Sequence, residues 1–420
     1  MNLTTGAYNA AIGVYSLLGD ATGNFNTGVG AGTLLSNTAD ENTATGAGAL
    51  LSNTTGSPNT AHGAFALFSN TTGGENTANG FESLFSNTTG GDNTAIGDSA
   101  LFSNTSGGDN TAIGYHALFQ NTGDLNTATG WQALSSNTTG AANTANGQSA
   151  LLNNTTGNFN TAIGNTALQN NSTASENTAI GYKALAATTA GHQNTAVGNH
   201  ALENTTLSIN TAIGYEALQN CTTCQGSTAI GAGAGSNVTT ATGVLCLDAS
   251  GEDVSNTTWI GGVVGATVPG GMPVFISSAG QLGTLNSSRR FKKEIKPMDT
   301  TSEAILALKP VTFHYKNDKA NTPQFGLIAE EVAEVNPDLI VRDKNGEIYA
   351  VRYEAVNAML LNEFLKEHRK NEEQQATIAQ LKSGMEALTA TVREQASQIQ
   401  KVSAQPEANK PTPQVVANDQ

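Results

Sequence analysis

Over most of this chain the apolar positions follow neither helical nor plain strand spacing; they recur once every sixteen or seventeen residues. Fourteen glycines, from Gly13 to Gly231, mark the repeat, most of them preceded by Asn-Thr-Ala-x. Two residues before the glycine stands Ala in every unit but the second, which has Gly28. Four residues after it stands Leu in every unit but the last, which has Gly235. Asn holds the place four before the glycine in all but the last unit, where Ser227 stands. Asn-Thr-Thr-Gly or a variant separates the units, which is turn chemistry. A period this short is too small for paired helices. It predicts short strands and turns wound into a β-solenoid over residues 1–235, one coil per repeat. Leu17 to Leu218 then stack as one apolar ladder, and Asn can ladder from coil to coil.

The period ends at Gly235. Three β-prone runs follow, Val244–Leu247, Trp259–Val264 and Pro273–Ile276, separated by Gly and Pro; residues 236–286 read as a small β neck. The pattern then changes to a compact α+β block. Ser302–Pro310 reads as a short helix stopped by proline, Val311–Tyr315 as a strand, and Gln324–Val332 as a lead into a second helix. Leu339–Val351 reads as a hairpin around Asn345-Gly346. A long helix begins near Tyr353. Its Ile378, Leu381, Met385, Leu388, Val392, Gln395, Ile399 and Val402 alternate in steps of three and four, a coiled-coil seam with one polar position. The domains expected are thus 1–235 solenoid, 236–286 neck, 287–353 α+β core, 354–402 coiled-coil helix and 403–420 disordered tail. The class is mainly β.

Charge divides the chain at the same place. Residues 1–286 hold one cation, Lys183, against fifteen carboxylates; residues 287–420 hold eighteen cations against nineteen. The acidic first part disfavours nucleic acid as a partner. No apolar run approaches a membrane-spanning length. The N-terminus shows no secretory signal and starts inside the repeat, so export by another route or a truncated start is expected. One Leu and one Ala per coil make a thin core, which predicts an obligate oligomer of three chains sharing inner faces.

Few residues before position 287 suggest chemistry. Cys221-Thr222-Thr223-Cys224 lacks a second pair or a nearby His to complete a metal site, and reads as a local disulfide or two free thiols; Cys246 stands apart. His62, His116, His192 and His200 read as surface or loop residues, and the Asn-x-Thr triplets as turn composition. No metal or cofactor is expected. The unit Asn110-Thr111-Ala112-Ile113-Gly114 resembles the head repeats of trimeric autotransporter adhesins, which implies a β-roll shared by three chains; the repeat here is longer than the adhesin unit.

The sharpest chemical signal is Ser287-Ser288-Arg289-Arg290-Phe291-Lys292-Lys293. Serine becomes a nucleophile when a base takes its proton, and a desolvated lysine can be that base. The block from here on resembles the C-terminal intramolecular chaperone of phage tail fibres and endosialidases, also found in myelin regulatory factor. That family opens with Ser-Asp-x-Arg-Leu-Lys and carries Gly-x-x-Ala-Gln-Glu-Val. Arg290 and Phe291 fall on its Arg and Leu, and Gly326, Ala329, Glu331 and Val332 on its second motif. Ser288 replaces its Asp, and Glu330 its Gln. The resemblance implies Ser287 as nucleophile, Lys292 as base and a single cut between Asn286 and Ser287. Ser288 with Lys293 is the alternative register.

The function expected is a trimeric fibre or adhesin-like surface protein, assembled and then cut by its own C-terminal chaperone, on a virion or cell surface. A surface glycan or extracellular receptor is the possible partner. The alternatives are a polysaccharide-degrading tail-spike-type enzyme, against which the repeats show no paired carboxylates, and an ice-binding solenoid using rows of Thr.

Overall fold

The structure, a computed structural model, describes residues 5–266, 271–277, 280–316, 318 and 320–404. It divides into two units, residues 1–267 and 268–420.

The first unit is a β-solenoid. Sixteen strands, β1 (Ala10–Ile12) to β16 (Thr258–Ile260), lie in one parallel sheet in strict chain order. Each pairs with the same positions one coil on, as Thr161, Ala162 and Ile163 do with Thr178, Ala179 and Ile180. Strands stack about 4.8 Å apart, so the sheet is on the order of 70 Å long. The repeat glycine closes each strand because no side chain fits there. At Gly114 φ is +134, and a Cβ would lie 2.6 Å from the carbonyl oxygen of Gly130 in the next coil.

Two expectations change. The stack does not stop at Gly235: β15 (Leu245–Leu247) and β16 continue it in register, Ala229 pairing with Cys246 and Cys246 with Trp259. The sequence period fades because inward Ala gives way to Cys and Trp, while the backbone pairing persists. What reads as a neck is therefore two further coils, and only residues 268–286 fall with the second unit. Nor is the inner face of the coil left open for three chains to share. The strand Ala and the corner Leu, such as Ala112 and Leu118, are fully buried within the one chain, together with a second Ala such as Ala117. That removes the premise on which the thin-core argument for oligomerisation rests.

Apolar burial alone does not hold the coils. Every corner Leu from Leu17 to Leu218 has a positive φ, +49 to +55. The left-handed conformation costs roughly 1–2 kcal/mol, close to the ~1.5–3 kcal/mol that burying a Leu contributes. The balance is decided by buried amides. The Asn of the Asn-Thr-Ala unit forms one ladder. Its side-chain oxygen accepts from the backbone N–H and the amide of the next Asn, as Asn93 does from Asn110 at 3.1 Å each. Its NH2 also donates to a turn carbonyl, Gly123 for Asn110 at 3.0 Å. The Asn of the Asn-Thr-Thr-Gly turn, read from sequence as turn chemistry, is a second buried ladder. Asn87 donates to the side chain of Asn70 at 2.8 Å and to the carbonyl of Gly90 at 2.9 Å. Sixteen-residue coils lose their residue in this turn, so Asn121 reaches Gly123 instead. The side-chain oxygen of Asn104, one coil before, is left without a partner.

The second ladder changes chemistry along the chain. Asp20 begins it, buried, with its carboxyl accepting from the Gly23 N–H at 2.8 Å. After Asn171 come Thr188, Thr205 and Cys221, all buried. The Cys221–Cys224 disulfide spans the same three residues as the Asn87-to-Gly90 bond and replaces that clamp covalently. Cys246 is free and buried, and burial raises its thiol above the usual range. Near the end of the stack Asp253 substitutes for a missing coil. In earlier coils three successive turn N–H groups share one carbonyl of the next coil, as those of Thr54, Thr55 and Gly56 share Thr71. The corresponding N–H groups of Thr239, Thr240 and Ala241 all donate to the Asp253 carboxylate, at 2.9, 2.7 and 2.7 Å. These bonds, with those from both threonine hydroxyls, hold its acid far below the ordinary carboxylate range.

The second unit is small. An antiparallel pair, β17 (Phe275–Ile276) and β18 (Leu282–Gly283), precedes a 3₁₀ turn at Arg289–Phe291 and a 3₁₀ helix at Asp299–Ala307. β19 (Val311–Phe313) pairs with β20 (Gln324–Gly326), and α1 (Ala329–Val335) follows. β21 (Ile340–Arg342) and β22 (Ile348–Val351) form the expected hairpin, its turn held by the Asp343 carboxylate. α2 runs from Tyr353 to Ala404 over 52 residues. Val332, Leu339, Ile340 and Met359 form the buried core. Most of the tail read at 403–420 lies outside the described residues.

Two outcomes follow from the ladders. Asn110→Ala removes both an acceptor and a donor from a dry interior and should weaken its coils by about 2–4 kcal/mol, seen as lost hydrogen-exchange protection around Thr111 and Thr127. Asp20 is raised by burial above its ordinary value. Its ionised form therefore opposes folding at neutral pH, and that penalty fades as pH falls below the folded value. Asp20→Asn should protect the first two coils better than wild type at pH 7, the difference shrinking as pH approaches about 4.

Candidate functional site

The residues proposed for cleavage lie in an uncovered stretch of the second unit. Every described residue from Gly271 to Pro297 is exposed. Ser287 and Ser288 precede the 3₁₀ turn, in which the Phe291 N–H donates to the Ser288 carbonyl at 3.0 Å and the Lys292 N–H to the Arg289 carbonyl at 3.1 Å. One tight turn, rather than an extended run, thus separates Ser287 from Lys292. The Arg290 guanidinium lies 4.6 Å from the centre of the Phe291 ring. The single chain does not complete a dyad: among the described residues no hydrogen bond joins the hydroxyl of Ser287 to Lys292, or that of Ser288 to Lys293.

The second motif is built into the core. A Cβ on Gly326 would sit 2.7 Å from the Tyr353 phenol oxygen and 3.2 Å from the Phe313 ring. The phenol oxygen also accepts from the Leu327 N–H at 3.0 Å. Gly326 is therefore the point where the start of α2 presses on β20. Val332 is 1% exposed and anchors α1, whereas Glu330 and Glu331 face outward in its first turn. There the helix dipole favours a carboxylate, so Glu330 fits where the family pattern has Gln.

A polar clamp escaped sequence reasoning. Ser302 is fully buried; its hydroxyl donates to the Glu363 carboxylate and accepts from the Asn362 amide at 2.7 Å. Lys366 donates to Glu363 at 2.8 Å. Lys366 first, then the Ser302 hydroxyl, holds the Glu363 acid below its ordinary value, and Glu363 in turn raises Lys366. The clamp ties the 3₁₀ helix to α2. Glu363 and Lys366 are legible in sequence as a helix-surface pair, but nothing local links them to a serine 61 residues away.

Beyond the clamp, α2 has no cover. Every residue from Glu367 to Ala404 is exposed, and the seam side chains Leu381, Met385 and Leu388 are each 63–66% exposed. An open apolar groove of about 660 Å³ lies beside the core, lined by Ile305, Leu308, Val311, Phe325, Tyr353 and Leu360.

Residues 287–341 match the family model described as chaperone of endosialidase. The match opens at Ser287, where the charge of the chain changes, and ends in β21, so it includes both motifs and leaves the whole of α2 outside. No curated protein and no solved structure matches the chain. The described residues include no helix long and apolar enough to cross a membrane, and no group of three or more His, Cys, Asp or Glu able to hold a metal ion.

Gly326→Ala should destabilise the second unit by roughly 1–3 kcal/mol through overpacking. In Tyr353→Phe, which removes the phenol oxygen, the same substitution should cost less; urea unfolding of the four variants measures that coupling.

Proposed function

We propose that the chain is one subunit of a trimeric fibre or surface protein, assembled by its C-terminal chaperone, which then cuts itself free between Asn286 and Ser287. The observation that carries this is the bare seam of α2. Apolar side chains at alternating steps of three and four, half to two-thirds exposed over several turns, form a coiled-coil face suited to cover by other helices. Homotrimerisation is the reading supported by the chaperone match together with that seam.

In the proposed reaction the Ser287 hydroxyl oxygen attacks the Asn286 carbonyl carbon and Lys292 takes the hydroxyl proton. The peptide C–N bond breaks, and the Ser287 nitrogen leaves as an amine carrying a proton. An ester then joins Asn286 to the Ser287 oxygen. Water hydrolyses it to the Asn286 carboxylate and the free hydroxyl. A lysine acts as base once its amine is taken out of water, and in one chain Lys292 is exposed. The dyad therefore waits for cover from neighbouring subunits, which couples the cut to assembly. Losing the chaperone afterwards makes any unfolding of the shaft irreversible, since the template for refolding is gone.

The shaft left behind is an acidic solenoid for display on a virion or cell surface, with a surface glycan or extracellular receptor as its target. The Cys221–Cys224 disulfide supports an oxidising location. The purified full chain should run as two fragments meeting at Asn286–Ser287. Ser287→Ala or Lys292→Ala should leave it whole and still trimeric by native mass. Leu381→Asp with Leu388→Asp, which opens the seam, should leave it whole and monomeric. Prompt cutting of that seam variant would contradict the coupling.

A further inference from the structure

Aromatic residues are scarce in this chain, yet within the solenoid most of them gather at the corner around the buried Leu, within five residues after the strand glycine. Two rows run there. Behind, Phe68, Phe85, Phe102 and Phe119 stack face to face from coil to coil, 5.1–5.2 Å between ring centres. In front, Phe81, Tyr115 and Trp131 occupy the place directly after the repeat glycine and are 44–47% exposed. The rows touch through Phe65, 5.7 Å from Phe68 and 6.2 Å from Phe81, and through His116, 4.5 Å from Phe119. The Tyr115 and Trp131 rings lie nearly parallel, 12° apart, with centres 6.3 Å apart. The back row therefore braces Phe81 through Phe65 and Tyr115 through His116, with Trp131 lying parallel to Tyr115, before any ligand arrives, which lowers the ordering cost of binding.

Between the front rings stand hydrogen-bonding groups. Asp98 is exposed, and its carboxylate accepts from the Ser99 hydroxyl at 2.7 Å. Glu82 sits at the corner of the Phe81 coil, half-buried. Lys183, four coils after Tyr115, is the one cation of the first 286 residues. This stretch therefore repels polyanions and presents acceptors to hydroxyl groups. Two copies meeting through it would bring their own carboxylates together. The front row repeats along the sheet at about 4.8 Å per coil, so Phe81 to Trp131 spans on the order of 15 Å in one line. A linear surface of held rings and acceptors, without cations, matches a chain of uncharged hydroxyl-bearing rings, whose apolar faces lie on aromatics.

We infer that the corner face from Phe81 to Trp131 binds a neutral polysaccharide laid along the solenoid. This rests on the display reading of the shaft given above, and names the target class and the residues that meet it. The rings are half-exposed, so removing them leaves the Leu, Ala and Asn ladders in place.

The test is affinity electrophoresis of the full chain through native gels containing glucomannan, xylan or hydroxyethyl cellulose, with polysialic acid as the anionic counter-probe. Wild type should be retarded by at least one neutral polymer and not by polysialic acid. Tyr115→Ala with Trp131→Ala should weaken that retardation at least tenfold, while Tyr215→Ala, on the same row outside the stretch, should keep it. No retardation by any neutral polymer, retardation by polysialic acid alone, or retardation indifferent to the paired substitution overturns the inference. A change of native mass in the paired variant also overturns it, by showing the face to be a contact between copies. Cutting at Asn286–Ser287, read on a denaturing gel of the same samples, reports separately on the proposed function.

Discussion

The fold of the shaft depends on an amide that must find another amide one coil away. A buried Asn side chain has two donors and an acceptor to satisfy, and no water inside the coil to satisfy them. Each Asn of the first ladder meets this need only when the next coil repeats it in register, as Asn93 and Asn110 do. The same demand explains the steps of sixteen or seventeen residues: the turn can lose one residue, as at Asn121, but the strand register cannot slip. Apolar burial follows this frame rather than creating it, because the Leu that fills the corner does so in a conformation that consumes much of its gain.

A ladder of near-identical coils has a weakness. Sliding one segment by a whole coil restores nearly every bond, so the interior of the repeat holds little information about its own alignment. The distinctive features lie toward the end of the stack: the Cys221–Cys224 clamp, the inward Cys246 and Trp259, and the Asp253 carboxylate that closes the ladder. In sequence these come before the segment that matches the chaperone model, with the β17–β18 pair between them. Alignment set at that end can propagate through the stack, each coil templating its neighbour. On the proposed function, a removable chaperone would be a device for setting register in a solenoid whose coils already close their own cores.

Much of this was legible from residues. The coil, the Leu row and the first Asn row follow from three near-invariant positions per repeat, because each has one physical job that few other residues can do. The second Asn row was misread because the same four residues that form a turn also send a side chain inward, and composition cannot show that direction. The extra two coils were hidden once Ala became Cys246 and Trp259, since parallel pairing leaves no mark in side chains. In the second unit, the glycine of the second motif and the hairpin turn were readable as local chemistry. The Ser302–Glu363 clamp was not, because its partners meet only through tertiary packing. Ser287 and Lys292 are proposed from the resemblance alone, and in one chain both remain exposed and unjoined.

The central claim is that the shaft is complete within one chain while the C-terminal block is not. Peptide-level hydrogen exchange on uncut Ser287→Ala protein, compared above and below the concentration at which it assembles, tests this directly. The account predicts that coils from Leu34 to Leu218 stay protected at both concentrations, while α2 beyond Glu367 is protected only in the assembly. A helix equally protected in the dissociated chain, or coils that lose protection together with it, would contradict the account.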